Sequence, residues 1–360
     1  MATINFAGNI YSGEVLEDLL VYTAQGNDTY QEGLIHIKPG VQKKYTLPHV
    51  SLNKIIQDNV ATPTATNGAA AGEYNQYTYS ERYLEPGDFM VYVRFNPREF
   101  EEVWRPFQPT GPLVFRELDP SVQAKMLHLL IDKKDQYLND SIWCGRKGGV
   151  DASAVTTPTG GVDLGGENAA GPMKYFDGFL ARVLANVKAS AVAAASRSEA
   201  QKNEVASGEV ILAGNTELTT GEQVEQALYA MWKKTPKNIR KKKGMKFIIS
   251  WELWDLYDEY LTSKQQKYVE NTELNARRFK GKEIKVIDGL PEHSIFFGNF
   301  TTGSDSCLWM AVDYATDQES VKVMPLQNDS EEWFFQMRMK VDVNIALPGE
   351  IVVWTAYKNA

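Results

Sequence analysis

The segment Trp333-Phe-Phe-Gln-Met-Arg-Met-Lys-Val-Asp-Val-Asn-Ile345 constrains this chain more than any other. Every odd position is apolar: Trp333, Phe335, Met337, Met339, Val341, Val343 and Ile345. Among the even positions Gln336, Arg338, Lys340, Asp342 and Asn344 are polar, and only Phe334 breaks the pattern. A period of two sustained over that length predicts one β-strand with a buried face and a wet face. At about 3.3 Å per residue it runs about 43 Å, whereas ordinary strands hold about 5–6 residues. A strand that long suits a flat or elongated domain better than a compact enzyme core. The alternative is a sandwich strand bent at a bulge.

Residues 119–144 predict a helix to match it. Asp119 is a suitable N-cap, Pro120 fits the first helical position, and Gly145 is suited to a left-handed C-terminal cap. Met126, Leu127, Leu130, Ile131, Tyr137, Leu138 and Ile142 recur every three to four residues and make one apolar stripe. About 25 residues at 1.5 Å each give roughly 37 Å, close to the length of the strand. Two one-sided elements of equal length are expected to pack along each other.

The rest of the chain divides by composition. Residues 1–32 hold one short apolar patch, Val15 to Val21, too small for a core of its own and suited to a docking arm. Residues 33–96 form an extended β excursion around a small-residue tip, Asn59 to Gly72. Its return arm carries Tyr74, Tyr77, Tyr79 and Tyr83, and after the turn Glu85-Pro86-Gly87 the residues Phe89, Val91, Val93 and Phe95 share one face. A hairpin projecting in this way leaves strand edges open unless a neighbour covers them. From about residue 178 a mixed α/β module begins. Helical patterns cover 178–206 and 221–234, an aromatic helix follows Ser250, and short strands are expected at 245–249, 283–287, 294–297 and 307–310.

Chemistry is hard to find. His36, His49, His128 and His293 show no metal-ligand spacing with one another or with a cysteine. His128 reads as structural, and His293, in a turn, as solvated. Cys144 and Cys307 suggest neither a disulfide framework nor a structural zinc, and neither has a base nearby in sequence. The glycine-rich passage 145–171 lacks any phosphate-binding pattern and reads as a surface loop. Acidic pairs such as Asp255/Glu259 and Glu331/Glu332 read as solvated faces. No catalytic, cofactor-binding or metal residue is assigned, no cofactor is expected, and the chain is read as a non-enzyme.

The formal charge of −8 argues against nucleic-acid binding by the chain as a whole. The one basic run, Lys233 to Lys243, has no interleaved aromatics for base stacking. It reads as a solvated turn, or as a contact with the acidic surface of a neighbour such as Asp255, Asp258 and Glu259. The first residues lack the basic start and apolar run of an export signal, and no stretch is long and apolar enough to span a membrane. Folding in a reducing cytoplasm is expected.

The order of parts resembles a specific family. An arm leads to a long hairpin, then a long helix ending at Ser141-Ile-Trp-Cys-Gly145, a glycine-rich loop, an α/β module and a late long strand. Phe279-Lys-Gly-Lys-Glu-Ile-Lys-Val-Ile-Asp-Gly-Leu-Pro291, Ser294-Ile-Phe-Phe-Gly-Asn299 and Asn344-Ile-Ala-Leu-Pro-Gly-Glu-Ile-Val-Val353 complete it. Over nearly its whole length the chain resembles tailed-bacteriophage major capsid proteins of the Hong Kong 97-like fold.

That resemblance implies an α+β fold with an N-terminal arm at 1–32 and an extended loop at 33–96. It implies a peripheral domain at 97–178 and 321–345, with the spine helix 119–144, and an α/β axial domain at 179–320 and 346–360. The implied function is a structural protein that self-assembles into hexamers and pentamers, the icosahedral head of a tailed phage around double-stranded DNA. Its partners would be copies of itself, a portal protein, a separate scaffolding protein (unless a propeptide was removed) and decoration proteins, with no sequence-specific DNA contact and no membrane. It would assemble in the bacterial cytoplasm and reside in the virion. Some relatives crosslink a lysine to an asparagine; Lys43, Lys44 and Lys54 are the amines on the loop, but no acceptor is identifiable. An encapsulin-like nanocompartment shell is the alternative within the fold. A monomeric carbohydrate-binding or adhesion protein is suggested only by 17 Tyr and 8 Trp, and those fall mostly on core stripes.

Overall fold

The structure, a computed structural model, describes residues 9–11, 28–52, 59, 61, 77–96, 120–147, 155–162, 164, 175–264, 277–313, 321–326 and 332–359. In chain order its strands are β1 (Asn9–Tyr11), β2 (His36–Pro39), β3 (Tyr45–Leu52), β4 (Tyr77–Leu84), β5 (Gly87–Phe95), β6 (Val155–Thr156), β7 (Ile211–Gly214), β8 (Met245–Ser250), β9 (Arg278–Phe279), β10 (Lys282–Ile287), β11 (Ser294–Asn299), β12 (Leu308–Val312), β13 (Val321–Pro325), β14 (Trp333–Ile345), β15 (Val352–Thr355) and β16 (Lys358–Asn359). The helices are α1 (Asp28–Gln31), α2 (Pro120–Cys144), α3 (Phe179–Ala191), α4 (Glu199–Glu204), α5 (Gly221–Lys234), α6 (Lys237–Arg240) and α7 (Trp251–Ser263).

The long strand forms over the residues that its alternation marks. Phe335, Met337, Val341, Val343 and Ile345 are at most 2 % exposed. β14 organises a six-stranded sheet. Trp333 pairs with both Phe95 of β5 and Pro325 of β13, while Val341 pairs with both Gly87 of β5 and Val312 of β12. One edge of β14 is therefore lined by β5, and β13 and β12 share the other edge end to end. β2 extends the sheet in parallel from β12, and β1 pairs with β13. Phe334, the exception in the alternation, stacks on Tyr92 of β5 with ring centroids 5.4 Å apart.

The second sheet runs β7-β15-β11-β8-β10-β9 and mixes parallel with antiparallel pairs. Its strands are apolar on both faces because both faces are covered. Phe247, Ile249, Ile295, Phe297 and Val352 point into a core with Val224, Leu228 and Met231 of α5 and Leu253 of α7. Their neighbours Ile248, Phe296 and Val353 point into the other core, with Ile142 and Trp143 of α2 and Phe179 and Val183 of α3. That second core continues onto the odd face of β14.

Several expectations need adjusting. The helix at 120–144 forms, and Asp119 lies outside the described residues. Gly145 is not among the left-handed glycines; its N–H continues the helical ladder to Ser141 O at 2.8 Å, and its carbonyl accepts from Gly178 N at 2.8 Å. A Cβ on Gly178 would lie 2.7 Å from Trp143 O, so the close crossing needs glycine there. α3 intervenes between the long helix and the long strand: Trp143 tilts against Phe179 at 5.2 Å, while Arg182 of α3 reaches Asp342 of β14. Helix does not run continuously over 178–206, since Val192 is extended and α4 restarts behind a Ser198/Gln201 capping box. Among the described residues of 33–96 only β3 and β4 pair with each other, whereas β2 and β5 are built into the long strand's sheet. The strand at 308–312 pairs with β14 and β2 and so joins that sheet too.

Candidate functional site

Burial falls steadily along the β3–β4 hairpin. Leu47 and Leu84 at its base are buried against Val41 and Ala311. Farther out, Val50 faces Tyr79 and Leu52 faces Tyr77 across the two strands. Residues two apart share a face, so these four side chains form one apolar surface, and they are 58, 59, 45 and 77 % exposed in that order. Ser51, on the opposite face, is polar and exposed. Next to the base, β5 pairs on one side only among the described residues, and Met90, Tyr92 and Val93 on it are exposed as well. Lys44 lies over the Tyr83 ring at 3.4 Å and pairs with Glu85 at 3.5 Å; Lys43 is exposed and Lys54 lies outside the described residues.

A buried polar cluster fixes the base of the hairpin. Arg82 of β4, 3 % exposed, donates through Nη1 to Glu204 O at 2.6 Å and through Nη2 to Asn344 Oδ1 at 3.2 Å and Glu204 Oε2 at 3.4 Å. Asn344 of β14 donates in turn to Tyr83 O at 2.6 Å. Asp342, two residues earlier on the same face, accepts from Glu85 N at 2.7 Å and from Arg182 Nη2 at 3.3 Å. Asn186 of α3 ties the other side, donating to Glu204 O at 2.6 Å and accepting from Val210 N at 2.8 Å. Two guanidiniums and two carboxylates thus alternate beneath the turn at 85–87, and together they set the direction in which the hairpin leaves the body.

Burial dominates the electrostatics of this cluster. It lowers the Arg82 guanidinium to about 10, against the opposing pull of Glu204. It raises the Asp342 carboxyl to about 6, which Arg182 and the N–H groups of Glu85 and Val343 offset in part. For Arg182 burial also acts downward, but Asp342, Asp177 and Glu204 outweigh it and raise the group. Asp342 and Asn344 are each 2 % exposed, so the even face of the long strand is dry at this end, contrary to the alternation. The cause is coverage by the hairpin base and by α3.

The residues weighed for chemistry are scattered. Burial raises the Cys307 thiol to about 12 and raises that of Cys144 as well, which leaves both poor nucleophiles. Among the described residues no group of three or more His, Cys, Asp or Glu is placed to hold a metal ion. His36 sits edge-on to Trp309 at 4.2 Å with Nδ1 2.7 Å from Thr302 O, and His49 Nδ1 lies 3.4 Å from Ser80 Oγ. The side chain of His128 lies outside the described residues. His293 is not solvated: it is 4 % exposed, in the left-handed region at φ 56°, with its ring nitrogens 3.1 and 3.2 Å from Leu218 O and Thr159 O. There it buttresses the segment 155–162. Among the described residues no helix is long and apolar enough to cross a membrane.

No protein-family model matches the chain, and no curated protein matches it. Solved structures do. The capsid of Myoviridae phage XM1 aligns over 91 % of this chain and 92 % of its own, at 8 % identity and a TM-score of 0.51. The capsid asymmetric unit of cyanophage A-1(L) aligns over 92 % of this chain and 93 % of its own, at 11 % identity and a TM-score of 0.51. At such identities the likeness is one of fold alone. The chain has the Hong Kong 97-like fold of tailed-phage capsid proteins.

Proposed function

We propose that this chain is a major capsid protein whose copies form the hexamers and pentamers of an icosahedral tailed-phage head around double-stranded DNA. The observation that carries the proposal is the hairpin face of Val50, Leu52, Tyr77 and Tyr79, which is apolar, exposed and held in a fixed direction by a buried polar cluster. An isolated two-stranded hairpin is marginal in water, and an apolar face on a rigid projection is costly unless another molecule covers it. Repetition of one such contact around a shell supports this use, since several modest contacts per subunit reinforce one another.

In this proposal the arm is 1–32, the extended loop 33–96, the peripheral domain 97–178 with 321–345, and the axial domain 179–320 with 346–360. The mechanism is geometric and needs no catalytic residue. Partners are further copies of the chain, a portal protein, a separate scaffolding protein and decoration proteins, with assembly in the host cytoplasm. Negative-stain electron microscopy of the purified protein tests it. Rings or shells are expected; a protein that stays a monomer of 40.4 kDa at every concentration and salt overturns it.

A further inference from the structure

We propose that the α/β unit makes a head-to-tail contact between copies, in which the cationic turn 237–243 of one copy seats on the α7 face bearing Trp251, Asp255 and Glu259 of the next. The inference rests on the shell proposal above and specifies one interface within it.

The turn is a built platform, not a loose loop. Ile239 anchors it at 7 % exposure. Arg240 is used internally: Nε donates to Thr235 O and Nη2 to Lys233 O, both at 2.9 Å, and its guanidinium lies over the Trp232 ring. Lys242 is also used internally, with Nζ 2.6 Å from Glu350 Oε1. Lys282 Nζ donates to Lys242 O at 2.9 Å. That leaves Lys237, Lys241 and Lys243 exposed, with no ion pair among the described residues. Three like charges held together on a folded turn repel one another, and an acidic partner surface removes that penalty.

The complementary surface is on α7. Trp251, Asp255 and Glu259 are spaced four apart, so they line one face of the helix. All three are exposed, Trp251 at 46 %. Asp255 and Glu259 have no ion pair among the described residues and repel each other at that spacing. Arg277, the nearby cation, stacks over the Trp251 and Trp254 rings at 5.6 and 5.4 Å. An exposed tryptophan within an acidic face has the make-up of an interface anchor.

The geometry favours contact between different patches. β8 begins just after the cationic turn and ends where α7 starts, about 20 Å farther on. Among the described residues no ion pair joins the two patches within one copy. A two-fold contact through either patch sets like charge against like. A head-to-tail contact sets opposite charges together, and it closes into a ring when the rotation between copies allows.

The test is a charge swap in the full chain. One variant carries Lys237→Glu, Lys241→Glu and Lys243→Glu; a second carries Asp255→Lys and Glu259→Lys; a third combines all five. Lys242 and Arg240 stay, because their internal bonds hold the turn. Sedimentation velocity reads the assembled fraction from about 0.05 to about 0.5 M salt, a range over which screening becomes severe. Each one-sided variant is expected to need roughly tenfold more protein than the parent to assemble at low salt, while the combined variant returns to within about twofold. Unchanged melting midpoints of the unassembled subunits separate this effect from misfolding. One-sided variants that assemble like the parent at every salt, or a combined variant no better than either, overturn the contact and leave the shell proposal standing. A parent that never assembles overturns both.

Discussion

At the scale of single residues Asp342 is the most informative. It occupies a position that the strand's alternation marks as wet, yet it is 2 % exposed. Burial raises its carboxyl from 3.8 to about 6. A carboxyl raised in the folded state takes up a proton on folding between those two values, so stability falls as pH climbs from about 4 through about 6. Asp135, also raised to about 6, acts in the same direction. In urea unfolding of unassembled subunits the Asp342→Asn variant is expected to lose its own share of this slope and to keep what Asp135 and the other raised carboxyls, Asp28, Asp140 and Glu252, supply. Identical slopes in parent and variant would show that Asp342 does not titrate there. The burial of Asp342 was not legible in the sequence, because its partners Arg182 and Glu85 come from distant parts of the chain. His293 escaped for the same reason: nothing near Pro291 reports the carbonyls of Leu218 and Thr159. The odd-numbered core residues were legible because alternation is a local signal.

At the scale of elements the long strand was read to its ends, 333 and 345. Its substitutions should sort by face. Met337→Asp and Val341→Asp place an unpaired carboxylate at positions 2 and 0 % exposed, and neither variant should yield soluble protein. Arg338→Ala should be tolerated. Lys340→Ala should cost about 1–3 kcal/mol, because Asp313, itself buried, loses the ammonium 3.3 Å away. Expression and chemical denaturation separate the three outcomes; soluble Met337→Asp protein with the parent's stability would refute the strand's burial. Helix contact gives a sharper case. A Cβ on Gly221, at the start of α5, would lie 2.2 Å from Leu256 O of α7. Gly221→Ala should therefore cost about 1–3 kcal/mol by forcing the helices apart, seen as a melting midpoint several degrees lower. Spacing revealed these elements but not which lie against which. The long helix was expected along the long strand, and α3 occupies that place because its apolar face serves both.

At the scale of the whole molecule the projecting hairpin separates folding from assembly. Tyr77→Ser with Tyr79→Ser should leave the unassembled subunit's melting midpoint within about a degree, since both side chains are already mostly exposed. The same variant should lose particles in electron microscopy. A large drop in melting midpoint would mean that the tyrosines support the subunit itself. The sequence marked the tyrosine-bearing arm, which is local in composition; the small-residue tip 59–72 lies, apart from Asn59 and Ala61, outside the described residues. The sequence did not mark β5 as a partner of β14, a pairing that local periodicity cannot carry.

That pairing also bears on how the chain is made. β5 and β14 lie about 240 residues apart in sequence, and β1 and β2 likewise wait for β13 and β12. At translation rates of about 5–20 residues per second, the first strands leave the ribosome roughly 10–50 s before the central strand that they need. Throughout that interval β5 presents bare edges and Phe89, Val91 and Phe95 without a core. Nascent chains are therefore expected to engage holdase chaperones until the last tenth of the protein emerges, and a high density of ribosomes on one message brings such unfinished edges together, where they cross-pair into aggregates.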